Sequence, residues 1–181
     1  MLLKKILLFT TIIGVFSNFL MATESPTDSL INLLAISNEE EQAVIYNELS
    51  HISRSNPKQG IEYGEKALLL AEKHNLKKQI FNAYINLSDA HQKHDTLNEA
   101  LHYGIKALAV AQIINDSLLI ARAHFVVGSN YSTKGYYQEA LTHLLQSLKI
   151  VEKLYITGDT SQINRYLSFI KIGRASCRER V

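Results

Sequence analysis

A forty-residue echo runs through the middle of the chain, and it limits the possible folds to those made by stacking one supersecondary unit on copies of itself. Gly64-Glu65-Lys66-Ala67-Leu68 returns as Gly104-Ile105-Lys106-Ala107-Leu108 and, more loosely, as Leu144-Leu145-Gln146-Ser147-Leu148, each copy 40 residues on. Asn98-Glu99-Ala100-Leu101 returns as Gln138-Glu139-Ala140-Leu141, and Asn86-Leu87-Ser88 with His91 returns as Val126-Val127-Gly128 with Tyr131. The earliest copy carries Glu48-Leu49-Ser50, then Pro57 and the Gly64 segment, with two residues fewer between them. A shorter turn accounts for that difference.

Each period divides into two helical stretches. Between 77 and 94, Ile80, Ala83, Tyr84, Leu87 and His91 fall three and four residues apart, which places them on one helical face. Between 97 and 113, Ala100, Leu101, Gly104, Ala107, Leu108 and Ala111 do the same, and their small size lets a second helix axis come close. Boundary residues agree. Asn56 before Pro57 reads as an N-cap with proline in the first turn, where its missing N–H costs nothing. Thr96-Leu97-Asn98-Glu99 has capping-box spacing, Asp116 can cap a helix over 116–134, and Gly135 can end it left-handed. No stretch of the mature region alternates as a strand does. The fold class is all-α, an α-solenoid of antiparallel helix pairs.

The motif residues resemble the tetratricopeptide repeat, whose pattern runs from an aromatic through Leu-Gly and Tyr on the first helix to a turn glycine, an aromatic and two alanines on the second. In the copy over 121–154 the resemblance rests on Val127-Gly128, Tyr131, Gly135, Tyr137 and Ala140, with Ser147 for the last Ala. Over 81–114 it rests on Tyr84, Leu87-Ser88, His91, Asp95, Leu97, Ala100 and Ala107; the copy over 42–75 keeps Leu49-Ser50, Pro57, Gly60, Gly64 and Ala67-Leu68. The resemblance implies about three repeats and a partial fourth over 161–171, preceded by a leading helix or cap within 23–38. It implies interaction with a protein or peptide partner, without catalysis by these residues. An exported start followed by 40-residue copies also resembles the sensory half of membrane-bound bacterial histidine kinases and transcription regulators.

The two ends read differently. Lys4 and Lys5 precede a mostly apolar run over 6–21, the pattern of a signal peptide or an uncleaved N-terminal anchor over 1–22. The expected location is outside the cytoplasm, periplasmic or anchored facing the periplasm, through 6–21 or a span further along the gene. Ile172-Gly173-Arg174-Ala175-Ser176-Cys177-Arg178-Glu179-Arg180-Val181 resembles the translation of a common short-read sequencing adapter. Those ten residues are therefore expected to be foreign and the native chain to run on past Lys171. The one cysteine, Cys177, falls inside them, so neither a disulfide framework nor a thiol nucleophile is expected.

Charge and motif arithmetic removes several chemistries. The formal charge of +2 comes from the ends, because residues 23–171 hold 14 basic and 16 acidic side chains. A nucleic-acid surface is not expected of such a balance. No glycine-rich phosphate loop is present, so no nucleotide cofactor is expected. His91-x-x-His94 with His102 is the nearest approach to a metal cluster, but His91 stands where the repeat packs an aromatic. No cofactor or metal is assigned. What is left is a groove lined by the first helix of each pair. Its candidate partner-binding residues are Asn47, His51 and Arg54; Asn82, Ile85 and Asp89; and Arg122, Phe125 and Ser129, with Ile85 and Phe125 supplying apolar contacts and Asn47, Asn82 and Arg122 polar anchors.

Overall fold

The computed structural model describes residues 25–156, 170–171, 175 and 177–179. The expected signal or anchor over 1–22 lies outside them, as does most of the partial fourth repeat. Among the described residues every regular element is helical: α1 (Pro26–Leu34), α2 (Glu39–Ile52), a 3-10 turn (Ser53–Ser55), α3 (Pro57–Lys73), α4 (Lys77–Lys93), α5 (Leu97–Ile114), α6 (Ser117–Thr133) and α7 (Tyr137–Ile156). No described helix is long and apolar enough to cross a membrane. The chain divides after Ile36 into two units. The first holds α1, which starts two residues before the predicted Asp28, with Ser25 as cap and Pro26 in its first turn.

In the second unit three hairpins follow the 40-residue period: α2/α3, α4/α5 and α6/α7. Local chemistry sets their ends. Asn38 and Glu41 exchange two hydrogen bonds of 3.0 Å each in a capping box, Asn56 accepts from Gln59 N at 3.4 Å, and Asp116 accepts from Leu118 N and Leu119 N at 2.9 and 3.2 Å. Thr96 departs from expectation. Its hydroxyl donates to the His91 carbonyl at 3.1 Å and meets His91 Nδ1 at 2.8 Å, so it closes the end of α4 instead of capping α5.

The turns share a period of their own. Asn75, Asp95, Asn115 and Gly135, spaced by 20 residues, all adopt positive φ (52°, 62°, 60° and 84°). Asparagine and aspartate tolerate this region better than other side-chain-bearing residues. After three of them the next N–H reaches five residues back to close the helix end: Leu76 to Ala71, Thr96 to His91 and Tyr136 to Tyr131. The first hairpin, two residues shorter, has the 3-10 turn instead.

Small residues let the hairpins close. Ala67 and Ala71 on α3, Ala100, Ala107 and Ala111 on α5 and Ala140 on α7 are wholly buried. Gly64 is required by contact: a Cβ there would stand 2.8 Å from Leu87 Cδ2. Buried hydroxyls tie helix to helix, Ser50 donating to the Gly60 carbonyl (2.7 Å), Ser88 to Ala100 (2.8 Å) and Ser147 to Ala121 (2.6 Å). A helical stack buries its core only between neighbours, so the outer face of its last pair needs apolar cover. Ile170 packs on Ala121, Leu148 and Val151, and Cys177 on Ala140 and Leu144, both almost wholly buried. Apolar cover is favourable there whatever residue supplies it.

Candidate interaction site

The first helices of successive pairs touch one another, α2 against α4 and α4 against α6, while each second helix packs on the first helices beside it. That puts α2, α4 and α6 on the inner side of the stack. Their shared surface holds an open depression of about 270 Å³ lined by Asn47, Glu48, His51, Asn82, Asn86 and Arg122. All six side chains are polar.

The amides organise the floor. Asn47 is buried and donates to the backbone carbonyl and the side-chain oxygen of Gln79, both at 3.1 Å. Asn86 in turn donates to the Asn47 carbonyl at 2.8 Å and to its side-chain oxygen at 3.3 Å. These bonds staple α2 to α4 and fix the depression before any ligand arrives. Arg122 lies across it on α6, its guanidinium 5.8 Å from the centre of the Phe81 ring. Among the described residues no carboxylate lies within ion-pair distance of Arg122.

Four of the nine expected residues, Asn47, His51, Asn82 and Arg122, therefore surround one space, although Asn47 is a structural tie as well as part of the wall. Arg54 and Asp89 pair with each other at 3.9 Å across α2 and α4; both are exposed, so the pair contributes little. Ser129 is taken up by Gln92, whose amide donates to it at 3.3 Å and to Thr133 at 2.9 Å. One expectation fails: Ile85 is 3% exposed and belongs to the core with Phe81, Tyr84 and Ala107. Phe125 is half-buried and packs against the apolar clusters around α4 and α5 and at the end of the stack, leaving only part of its ring accessible. Ile85 offers no free apolar contact, because the inner side of one first helix is also where the next first helix packs. Glu48 and Asn86 were missed, although Asn86 stands one turn beyond Asn82 on the same face.

His91 is half-buried, stacked on Tyr103 at 5.3 Å between ring centres, and its Nε2 has no hydrogen-bond partner. Burial lowers its pKa below the usual 6.5, against the opposing pull of Glu99 and Glu65. No group of three metal-ligating side chains converges among the described residues, His91, His94 and His102 included.

Sequence comparison matches residues 79–153 to the tetratricopeptide repeat. Those residues are tetratricopeptide repeats. The matched stretch begins in the first turn of α4 and ends within α7, and the tetratricopeptide architecture extends to α2/α3 in the structure. No curated protein matches the chain in sequence. Solved structures that share its fold include three Rap-type proteins. The apo form of RapI has 20% identity and a TM-score of 0.67, over 82% of this chain and 54% of that one. A Rap protein complexed with Competence and Sporulation Factor has 19% identity and a TM-score of 0.65, over 80% and 42%. Aspartyl phosphate phosphatase F from Bacillus subtilis has 14% identity and a TM-score of 0.66, over 84% and 42%. The chain spans about half the length, or less, of these structures.

Proposed function

We propose that the tetratricopeptide stack is a protein-interaction module that holds an extended segment of another protein against α2, α4 and α6. The observation that carries this reading is Arg122: a cation in a polar depression spanning three consecutive inner helices, with no carboxylate partner among the described residues. A segment bearing an acidic side chain supplies the missing charge, and Asn82 offers an amide that matches a peptide bond in both donor and acceptor. A depression of about 270 Å³ suits one or two residues of a longer ligand better than a free small molecule. One structural neighbour, a Rap protein, is known complexed with Competence and Sporulation Factor, which is consistent with this use of the fold.

The test is selection of peptides from a random displayed library by the purified chain, repeated with Arg122→Gln. Enrichment of Asp- or Glu-containing peptides by the wild type, weakened at least about tenfold in the variant at unchanged melting temperature, supports the reading. No enrichment, or enrichment indifferent to Arg122, overturns it.

A further inference from the structure

The seam inside each hairpin carries the same three positions. In the first they are Tyr46, Tyr63 and Lys66; in the second, Tyr84, Tyr103 and Lys106; in the third, His124, His143 and Gln146. The tyrosine rings lie 6.1 Å apart in both earlier copies, with the lysine Nζ 5.6–6.0 Å from each ring centre. The third copy replaces both phenols with imidazoles and the cation with a neutral amide. Its rings are 5.2 Å apart and meet through their Nδ1 atoms at 3.0 Å. That separation of the ring centres sets both nitrogens near the line between them, the arrangement of a single N–H···N hydrogen bond.

We propose that the His124–His143 contact is a proton-sensitive latch on the α6/α7 hairpin. A neutral imidazole has one N–H and one bare nitrogen, so the contact needs one Nδ1 hydrogen, supplied by either ring. An added proton can sit on the outer nitrogen of the donor ring and leave the bond intact. A second places an N–H on both facing nitrogens, destroys the bond and sets two positive charges together in a half-buried seam.

The surroundings offer no relief. On α6 the only formal charge is Arg122, two residues before His124; on α7, Glu139 lies one turn before His143, and Lys149 lies beyond it. From α5, which packs on α6, come Glu99 and Lys106, from α4, which also touches α6, come Asp89, His91 and Lys93, and the phenol of Tyr131 stacks on His143 at 5.7 Å between centres. None of these carboxylates acts appreciably on either ring, in contrast to His91, which feels Glu99 and Glu65. Burial lowers the pKa of both rings from 6.5, and His143 lowers that of His124 further. A group with a lowered folded-state pKa stabilises the fold above the unfolded value and loses that contribution as pH falls through the folded one. The latch is therefore closed at neutral pH and opens as pH falls through the lowered folded-state values, with the second proton. Because α6 also carries Arg122 and Ser129, opening reaches the inner wall, but the latch does not depend on that wall binding anything.

The experiment is amide hydrogen exchange on the full chain at about pH 7.5 and about pH 5, reading α6/α7 protection relative to α2/α3, where tyrosines fill both seam positions. The relative protection should fall about tenfold on acidification, the scale of one lost hydrogen bond. It should stay level when His124→Tyr and His143→Tyr restore the residues of the earlier copies. Proton NMR titration of the unmodified chain covers the case in which that variant does not fold: the two rings should titrate together in two separated steps. Independent single steps near 6.5, or relative protection indifferent to pH, overturn the latch. So does protection that rises with added zinc yet ignores pH, which makes the pair a metal site.

Discussion

The second and third hairpins occupy the same frame with opposite seam chemistry. In α4/α5 the stacked rings are Tyr84, His91 and Tyr103; in α6/α7 the corresponding positions read His124, Tyr131 and His143. A flat ring of either kind fills the gap between two close helices, so packing accepts the exchange. Protonation does not. Burial and the neighbouring Glu72, which accepts from the Tyr84 hydroxyl at 3.1 Å, push that phenol up to about 12, so it is neutral at neutral and acidic pH. The two imidazoles can each take a proton as pH falls, later than a free imidazole does because burial lowers both. Repeats of equal shape can thus differ in what they sense.

The comparison breaks most severely at the core the two hairpins share. Phe81→Ala removes a wholly buried ring packed with Ile85, Ala107, Ala123 and Val126, and should cost about 3–5 kcal/mol in urea denaturation. A loss under about 1 kcal/mol would mean that the hairpins do not pack through that cluster. Glycine sharpens the contrast. A Cβ on Gly128 would stand 2.9 Å from Leu144 Cγ and 3.1 Å from the Ala140 carbonyl oxygen, which cannot retreat without moving α7. Gly128→Ala should therefore destabilise by about 1–2 kcal/mol despite the helix propensity gained. On Gly104 the nearest atoms are the ends of Asn130 and Val127 at 3.2 and 3.3 Å, so Gly104→Ala should fall within about 1 kcal/mol of neutral. Equal costs would contradict the geometry.

Helix starts give a smaller difference. Asp116→Ala should cost about 1 kcal/mol and speed amide exchange at Leu118 and Leu119. Thr96→Ala should leave the first-turn amides of α5 unchanged and be felt at His91, which loses its Nδ1 partner. The smallest expected effect is in pH dependence. His91 is lowered by burial but supported by two carboxylates, so it stabilises the fold above 6.5 and loses part of that contribution as pH falls. His91→Tyr should flatten the acid limb of the melting curve slightly, less than the paired substitution in the third hairpin does. A steeper limb would reverse the sign assigned to burial.

Much of the fold was legible because helix-forming and seam-forming signals are local. Spacings of three and four, the Asn56-Pro57 and Asp116 caps and Gly135 each act within a turn of chain, and the all-α fold of paired helices follows from them. Thr96 shows where locality stops. Its spacing fits a capping box, yet its hydroxyl has a better partner in His91 and the carbonyl behind it. The inner wall was half legible. Asn82 and Arg122 lie where helical projection puts them, but Ile85 does not. Projection counts a residue as outward when it turns from its own partner helix, and it carries no knowledge of how closely the next pair approaches.

The sequence by itself determined the all-α class, the number and phase of the paired helices and the small residues at their seams, because backbone hydrogen bonding, capping and side-chain volume are decided among near neighbours in the chain. Only the tertiary structure decided that Asn47 and Asn86 staple α2 to α4 and that His124 and His143 meet nitrogen to nitrogen. It also left Arg122 facing a polar depression. Those outcomes depend on distances between residues 19 to 75 positions apart in the chain, which the close approach of small-residue seams sets and no single helix contains.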